Sequence, residues 1–242
     1  MNLSTDDLVE VLEATWPAAA QRRDGPFLLK LSPGGGKRVT AARLLGEAFQ
    51  PADLDRAEAA MRDAGQPPLF QLAPGQAALD TALAAHGYAV VDETLFMTCD
   101  LAPLCDIDVP RLTAFDIWPP LAVQQELWAE AGIGPDRLAV MARCTEPHRS
   151  LMGRDRDRVA GAGFVACHKS VAMVHALETR PAFRGRGVAT RMMGQAARWA
   201  ATRGARHMAL AVTKANTGAR TFYRGLGMAE RPGYTYRIGT QE

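Results

Sequence analysis

The sequence predicts an α/β fold in which a mixed sheet carries helices on both faces. An apolar, strand-like run, Val171 to Thr179, is followed by a glycine-rich turn and an amphipathic helical pattern over residues 188–203. A second apolar run, His207 to Val212, precedes another helical segment that begins at Asn216. Hydrophobic residues make up 48% of the chain, which suffices for a packed core and excludes a disordered protein.

In the first half, strand-like runs over 27–31 and 39–45 flank the segment Ser32-Pro33-Gly34-Gly35-Gly36-Lys37-Arg38. The glycines suggest a phosphate-binding loop, but the position between two strands favours a hairpin loop. The pattern then predicts a strand, a helix and a strand, over residues 68–72, 76–85 and 94–98.

The second half continues the alternation of helices and strands. The patterns predict helices over 120–131 and 135–142, then strands over 149–152, 159–167 and 171–179. The helix that starts near Val188 stops at Gly204, a residue suited to the position after a helix. A strand over 207–212, the helix from Asn216 and a strand over 234–238 complete the chain.

The two halves share one plan at a constant shift of 140 positions (212 − 72 = 140). This shift places Leu72 on Val212, Gln76 on Asn216, Leu83 on Tyr223, Gly87 on Gly227 and Phe96 on Tyr236. We therefore expect a duplicated unit, with domains at 1–104 and 105–242 and a linker rich in Pro and Asp over 102–110. A leucine stands at the position of Tyr223 in the first copy, which we expect to be non-catalytic.

The turn before the helix is Arg184-Gly185-Arg186-Gly187-Val188-Ala189. The first N–H groups of a helix lack partners within the helix and lie at the positive end of its dipole, so they bind anions. Glycine allows close approach of a phosphate, and two arginines add positive charge. Neither the Walker pattern nor GxGxxG fits the spacing. We expect this segment to hold a pyrophosphate.

The pattern Arg184-x-x-Gly187-x-Ala189 resembles the R/Q-x-x-G-x-G/A signature of the GNAT superfamily of acyl-CoA-dependent N-acyltransferases. Downstream, Asn216 opens a helix and Tyr223 follows two turns later on the same face, which resembles the second signature of this family. The resemblance covers about the last 110 residues. It implies two GNAT-like units, each with a mostly antiparallel, splayed sheet, and acetyl-CoA as the donor.

The resemblance also implies roles for individual residues. The backbone of Leu177 and Thr179 would pair with the pantetheine arm, and Asn216 would hydrogen-bond it, although Asn216 also suits a helix cap. Tyr223 would be the general acid that protonates the thiolate, because a phenol of pKa ~10 can donate to a thiolate of pKa ~8.5. Packing alone is the alternative for Tyr223.

For the general base we favour His175, because an imidazole of pKa ~6.5 accepts protons near neutral pH. Regular alternation along the strand would place it on the same side as Leu177 and Thr179. A buried histidine bonded to a carbonyl is the alternative, and Glu178 would be the base only if a bulge turned it inward. The resemblance further implies that Trp128, Gly132, Ile133 and Arg137 line the acceptor pocket.

The sequence does not favour a nucleic-acid-binding, membrane, secreted or metal-binding protein. The net charge of +2 does not favour nucleic acid, and no apolar run reaches the ~20 residues that span a bilayer. Met1 to Asp7 lacks the basic start of a signal peptide, so we expect a cytoplasmic location. The four cysteines show no metal-binding spacing, so we expect free thiols and no metal. We expect an N-acetyltransferase acting on a small-molecule, amino-acid or peptide amine, with a non-catalytic acyl-CoA-binding protein as the alternative.

Overall fold

A computed structural model describes residues 3–239 of the 242-residue chain. The helices are α1 Thr5–Thr15, α2 Pro51–Asp63, α3 Ala77–Ala85, α4 Ala102–Cys105, α5 Ala122–Glu130, α6 Pro135–Arg143, α7 Val188–Ala201 and α8 Thr217–Gly225. The strands are β1 Ala20–Asp24, β2 Phe27–Leu31, β3 Ala42–Leu44, β4 Leu69–Leu72, β5 Ala89–Asp100, β6 Ala114–Ile117, β7 His148–Asp155, β8 Arg158–His168, β9 Val171–Thr179, β10 His207–Thr213 and β11 Ala229–Ile238. The predicted α/β class is confirmed.

The chain forms two compact units, and each draws on separate stretches of sequence. Unit 1 consists of the chain up to Pro17, Phe96–Ala211 and Thr221–Glu230. Unit 2 consists of Ala18–Leu95, Val212–Arg220 and the chain from Arg231 onward.

In unit 1 the strands follow the order β10-β9-β8-β7-β6. The β10–β9 pair is parallel and the other pairs are antiparallel. Helix α7 buries one stripe against this sheet, and the stripe includes Val188, Met192, Ala196 and Trp199. The spacing of three or four residues between these positions is what the sequence pattern predicted.

In unit 2 the strands follow the order β1-β2-β3-β4-β11. The β2–β3 pair is antiparallel, which confirms the hairpin predicted around Gly34. Strand β11, the last of the chain, pairs antiparallel with β4 from Ile238–Leu69 to Thr235–Leu72. The core of unit 2 includes Phe27, Leu54, Phe70 and Leu79.

The compact units differ from the predicted division at residues 104 and 105. Helix α1 belongs to unit 1, although it precedes most of unit 2 in the sequence. Strands β5 and β11 are each divided between the two units, β5 after Leu95 and β11 after Glu230. Whether the two halves arose by duplication stays a proposal.

Helix α1 was not predicted from the sequence, although its start is well defined. The Ser4 hydroxyl accepts a hydrogen bond from the Asp7 backbone N–H at 3.1 Å, and the Asp7 carboxylate accepts one from the Ser4 N–H at 2.9 Å. This reciprocal capping box satisfies two of the otherwise unpaired N–H groups at the helix start.

Three further features concern membrane spans, cysteines and metal ligands. Among residues 3–239, no helix combines the length and the apolar character needed to cross a membrane. All four cysteines are free thiols, and burial raises the pKa of Cys167 to about 12. Within the same residues, no group of three or more His, Cys, Asp or Glu side chains could hold a metal ion.

Candidate active site

Strand β9 contains a β-bulge that decides which side chains share a face. His175 lies opposite Phe164 of β8 and Glu178 lies opposite Ala162, so β9 holds one residue more than β8 between these pairs. Ala176, within the bulge, has a φ of 49°. Because directly opposed residues point to the same face, the bulge brings His175 and Glu178 to one face of the sheet.

The expectation that His175 faces the same side as Leu177 and Thr179 is therefore wrong, since it assumed regular alternation. A methyl group placed on Gly163 would meet the Leu177 side chain at 2.9 Å, which puts Leu177 on the opposite face. Glu178 was expected to be the base only if a bulge turned it inward. The bulge in β9 does place Glu178 on the face of His175.

Trp128 of α5 holds the bulge in place. Its indole N–H donates to the Ala176 carbonyl at 2.8 Å, and its side chain is fully buried. The family resemblance implied that Trp128 and Ile133 line the acceptor pocket, yet both are buried. A buried indole with its N–H satisfied stabilises the distorted strand.

Strands β9 and β10 part next to the bulge. Their parallel pairs run from Val171–His207 to Val174–Leu210, and within residues 3–239 none forms beyond Val174. Residues 175–179 continue β9 past that point, and the Ala176 carbonyl among them accepts from the Trp128 indole N–H. The Thr179 carbonyl accepts from the Arg184 Nε–H at 3.2 Å.

The predicted anion-binding turn leads directly into α7. Gly187 is the N-cap with a φ of 74°, Gly185 has a φ of 73°, and both are exposed. No side chain of the described chain caps this helix, so its first N–H groups face outward. Val188 is 1% exposed and anchors the start of α7, while Ala189 is half-buried.

Arg184, Arg186 and Arg191 surround this turn, and Arg191 was not among the residues predicted from the sequence. Arg186 forms an ion pair with Asp155 at 3.0 Å. Arg191, in the first turn of α7, donates to the Arg186 carbonyl at 3.1 Å and to the Arg154 carbonyl at 3.3 Å. A cation near the positive end of a helix dipole is unfavourable by itself, and an anion at the turn would compensate it.

Asn216 directly precedes α8, and Tyr223 lies near the end of this helix. The Asn216 side-chain oxygen accepts from the Ala219 backbone N–H at 3.0 Å, so this residue caps the helix, as its alternative role predicted. Tyr223 is 8% exposed. Asn216 belongs to unit 2 and Tyr223 to unit 1.

His175 is buried beneath the end of α1. Its side chain is 2% exposed, its Nε2 lies 2.9 Å from the Thr15 hydroxyl, and its ring stacks on Trp16 at 4.9 Å. These contacts were not predictable from local patterns, because Thr15 and His175 are 160 positions apart.

Glu178 is half-buried on the same face of β9. Burial raises the pKa of its carboxyl, and the charges of Arg184 and Arg137 oppose that rise. A carboxyl with a raised pKa accepts a proton more readily, so Glu178 also has the properties of a proton acceptor.

The site thus consists of a bulged strand followed by a glycine turn and a helix whose start has no side-chain cap. Residues 114–228 match the acetyltransferase (GNAT) family, so this part of the chain is a GNAT-type acyltransferase domain. The chain is 38% identical to an uncharacterized N-acetyltransferase of Methanocaldococcus jannaschii, over 34% of this chain and 43% of that protein. The match thus spans less than half of that relative's length.

Two solved structures share the fold over nearly the whole chain. A GCN5-related N-acetyltransferase from Kribbella flavida has a TM-score of 0.71 at 20% identity, with 98% of this chain and 96% of that chain covered. A tandem GNAT protein from the clavulanic acid biosynthesis pathway has a TM-score of 0.62 at 14% identity, with 98% and 89% covered. The predicted family and the mixed-sheet fold are confirmed.

Proposed function

We propose that the protein transfers an acetyl group from acetyl-CoA to a primary amine of a small molecule, an amino acid or a peptide. The observation that carries this proposal is the uncapped start of α7 at Gly187, within the region that matches the GNAT family. The amine attacks the thioester directly in a ternary complex. In this proposal residues 105–242 supply the reacting groups, and residues 1–104 include a degenerate GNAT-like unit.

The residues at the turn fit a diphosphate. The backbone N–H groups of Gly185, Arg186, Gly187, Val188 and Ala189 would donate to its oxygens, as helix N-termini do for phosphates. Arg184 and Arg186 are exposed and add charge, and Arg186 would exchange part of its pairing with Asp155 for the ligand.

The edge of β9 beyond Val174, where its pairs with β10 end, suits an extended ligand arm. The backbone of Leu177 and Thr179 would pair with the amide groups of pantetheine in the way that one strand pairs with another. Asn216 would offer its side-chain amide N–H to the cofactor, because its oxygen already caps α8. Tyr223 would donate a proton to the sulfur as the thioester breaks.

His175 is the proposed proton acceptor for the amine. We expect His175→Gln to lower kcat by about 10²–10⁴-fold and to remove the acid limb of the pH–rate profile, the usual effect of losing a general base. Glu178→Gln is the matched change on the same face of β9, and we expect it to cost less. A larger loss in Glu178→Gln than in His175→Gln would transfer the role to Glu178.

The function itself is tested by incubating the protein with acetyl-CoA and a panel of amines while measuring release of free CoA thiol. Thiol release that depends on an amine, together with the acetylated amine in a mass spectrum, supports an enzyme. Binding of acetyl-CoA without thiol release for any amine would instead favour the alternative, a non-catalytic acyl-CoA-binding protein.

A further inference from the structure

We propose that Thr15 of α1 is a positioning residue that holds His175 in the tautomer with hydrogen on Nε2, so that Nδ1 is the proton-accepting atom. The inference deepens the proposed function and rests on His175 acting as its base. It also gives the beginning of the chain a part in the chemistry of unit 1.

The tautomer follows from counting hydrogen atoms. The Thr15 hydroxyl donates to the Val11 carbonyl at 2.7 Å, which uses its only hydrogen. Toward His175 the hydroxyl oxygen therefore offers only lone pairs. Since His175 Nε2 lies 2.9 Å from this oxygen, Nε2 must be the donor.

The surroundings keep the ring in this orientation. The Thr15 side chain is fully buried, and the Trp16 ring lies over the imidazole at an angle of 27°. Phe164 contacts the imidazole with its ring centre 6.2 Å away. In so closed a site, an Nε2–H without an acceptor would be costly, so the hydroxyl selects the tautomer.

The same hydroxyl favours uptake of a proton. A neutral imidazole has one donor and one acceptor nitrogen, whereas the cation has two donors. The Thr15 oxygen accepts from Nε2–H in both states. Without the Thr15 hydroxyl, the neutral ring could carry its hydrogen on Nδ1 instead. The cation has a hydrogen on both nitrogens, so its Nε2–H would stay buried without an acceptor. Loss of the hydroxyl would therefore lower the pKa of His175.

Other titratable groups lie near this face. Glu178 shares the face of β9, and His148 lies beyond Phe164, with its ring centre 5.6 Å from that ring. Near the end of α1, Arg143 donates to the Pro17 carbonyl at 3.5 Å and the Cys144 thiol donates to the Ala14 carbonyl at 3.9 Å. These groups are the same in every variant below, so a difference between variants reports the hydroxyl.

The test compares Thr15→Val, which removes the hydroxyl at nearly constant shape, with Thr15→Ser, which keeps it. Thr81→Val is the control, because Thr81 donates to the Ala77 carbonyl at 2.9 Å in an exposed helix without a histidine partner. Nitrogen-15 NMR correlations of the His175 ring identify the tautomer directly. The pH dependence of kcat/KM identifies the acid limb.

We expect the Nε2–H tautomer in the unaltered protein and in Thr15→Ser. In Thr15→Val we expect a changed tautomer, an acid limb at lower pH and a kcat lower by about 10-fold, as loss of one buried hydrogen bond implies. An Nδ1–H tautomer in the unaltered protein, or an unchanged tautomer and pH profile in Thr15→Val, would overturn the inference. The NMR result is independent of turnover, so an inactive protein with the expected tautomer would count against the proposed function alone.

Discussion

Replacing Gly187 by alanine is expected to weaken acetyl-CoA binding by about 10²–10⁴-fold, since the two hydrogen bonds lost to a charged oxygen are each worth about 1.5–3 kcal/mol. Gly187 has a φ of 74°, a region that disfavours side chains. A methyl group there would also lie 3.0 Å from the Arg191 guanidinium. Relief of both strains would turn the N–H groups away from the diphosphate. Isothermal titration with acetyl-CoA measures the effect.

Gly204→Ala is the matched control at the other end of α7. Gly204 has a φ of 80°, and a methyl group there would meet nothing within 4 Å. Both variants carry the same backbone strain, about 1–2 kcal/mol of stability each, so Gly204→Ala shows in a thermal melt what this strain costs by itself. Equal affinities for acetyl-CoA in both variants would show that the Gly187 turn does not bind the ligand.

Replacing Tyr223 by phenylalanine is expected to lower kcat by about 10²-fold or more, with the affinity for acetyl-CoA unchanged. The phenyl ring keeps the packing of a residue that is 8% exposed, and only the hydroxyl is lost. The thiolate would then leave without a proton from the protein. Steady-state kinetics separates kcat from KM, and titration gives the affinity.

The pH–rate profile supplies a second readout for Tyr223. If the phenol is the acid, its loss should also remove the basic limb, because that limb reports the essential acid. Unchanged turnover in Tyr223→Phe would leave the residue with its alternative role, a buried aromatic near the end of α8.

Local patterns predicted much of the fold. The bounds of β9, Val171–Thr179, follow directly from its apolar run, and the stripe of α7 follows from helical spacing. The turn at Gly187 was predictable because glycine, arginine and a helix start are adjacent in the sequence. These features depend on residues only a few positions apart.

The rest depends on contacts that a single sequence does not encode locally. The bulge at Ala176 exists only relative to the register of β8, and it reverses the faces assigned to His175 and Leu177. The contact between Thr15 and His175 joins α1 to β9 across 160 positions. For the same reason, the compact units cut across the boundary predicted at residues 104 and 105.

A crystal structure of the protein grown with acetyl-CoA would show where the diphosphate binds. We expect the diphosphate to accept hydrogen bonds from the backbone N–H groups at the start of α7, beside Gly187. A diphosphate bound at any other place on the protein, or no bound acetyl-CoA at a saturating concentration, would contradict it.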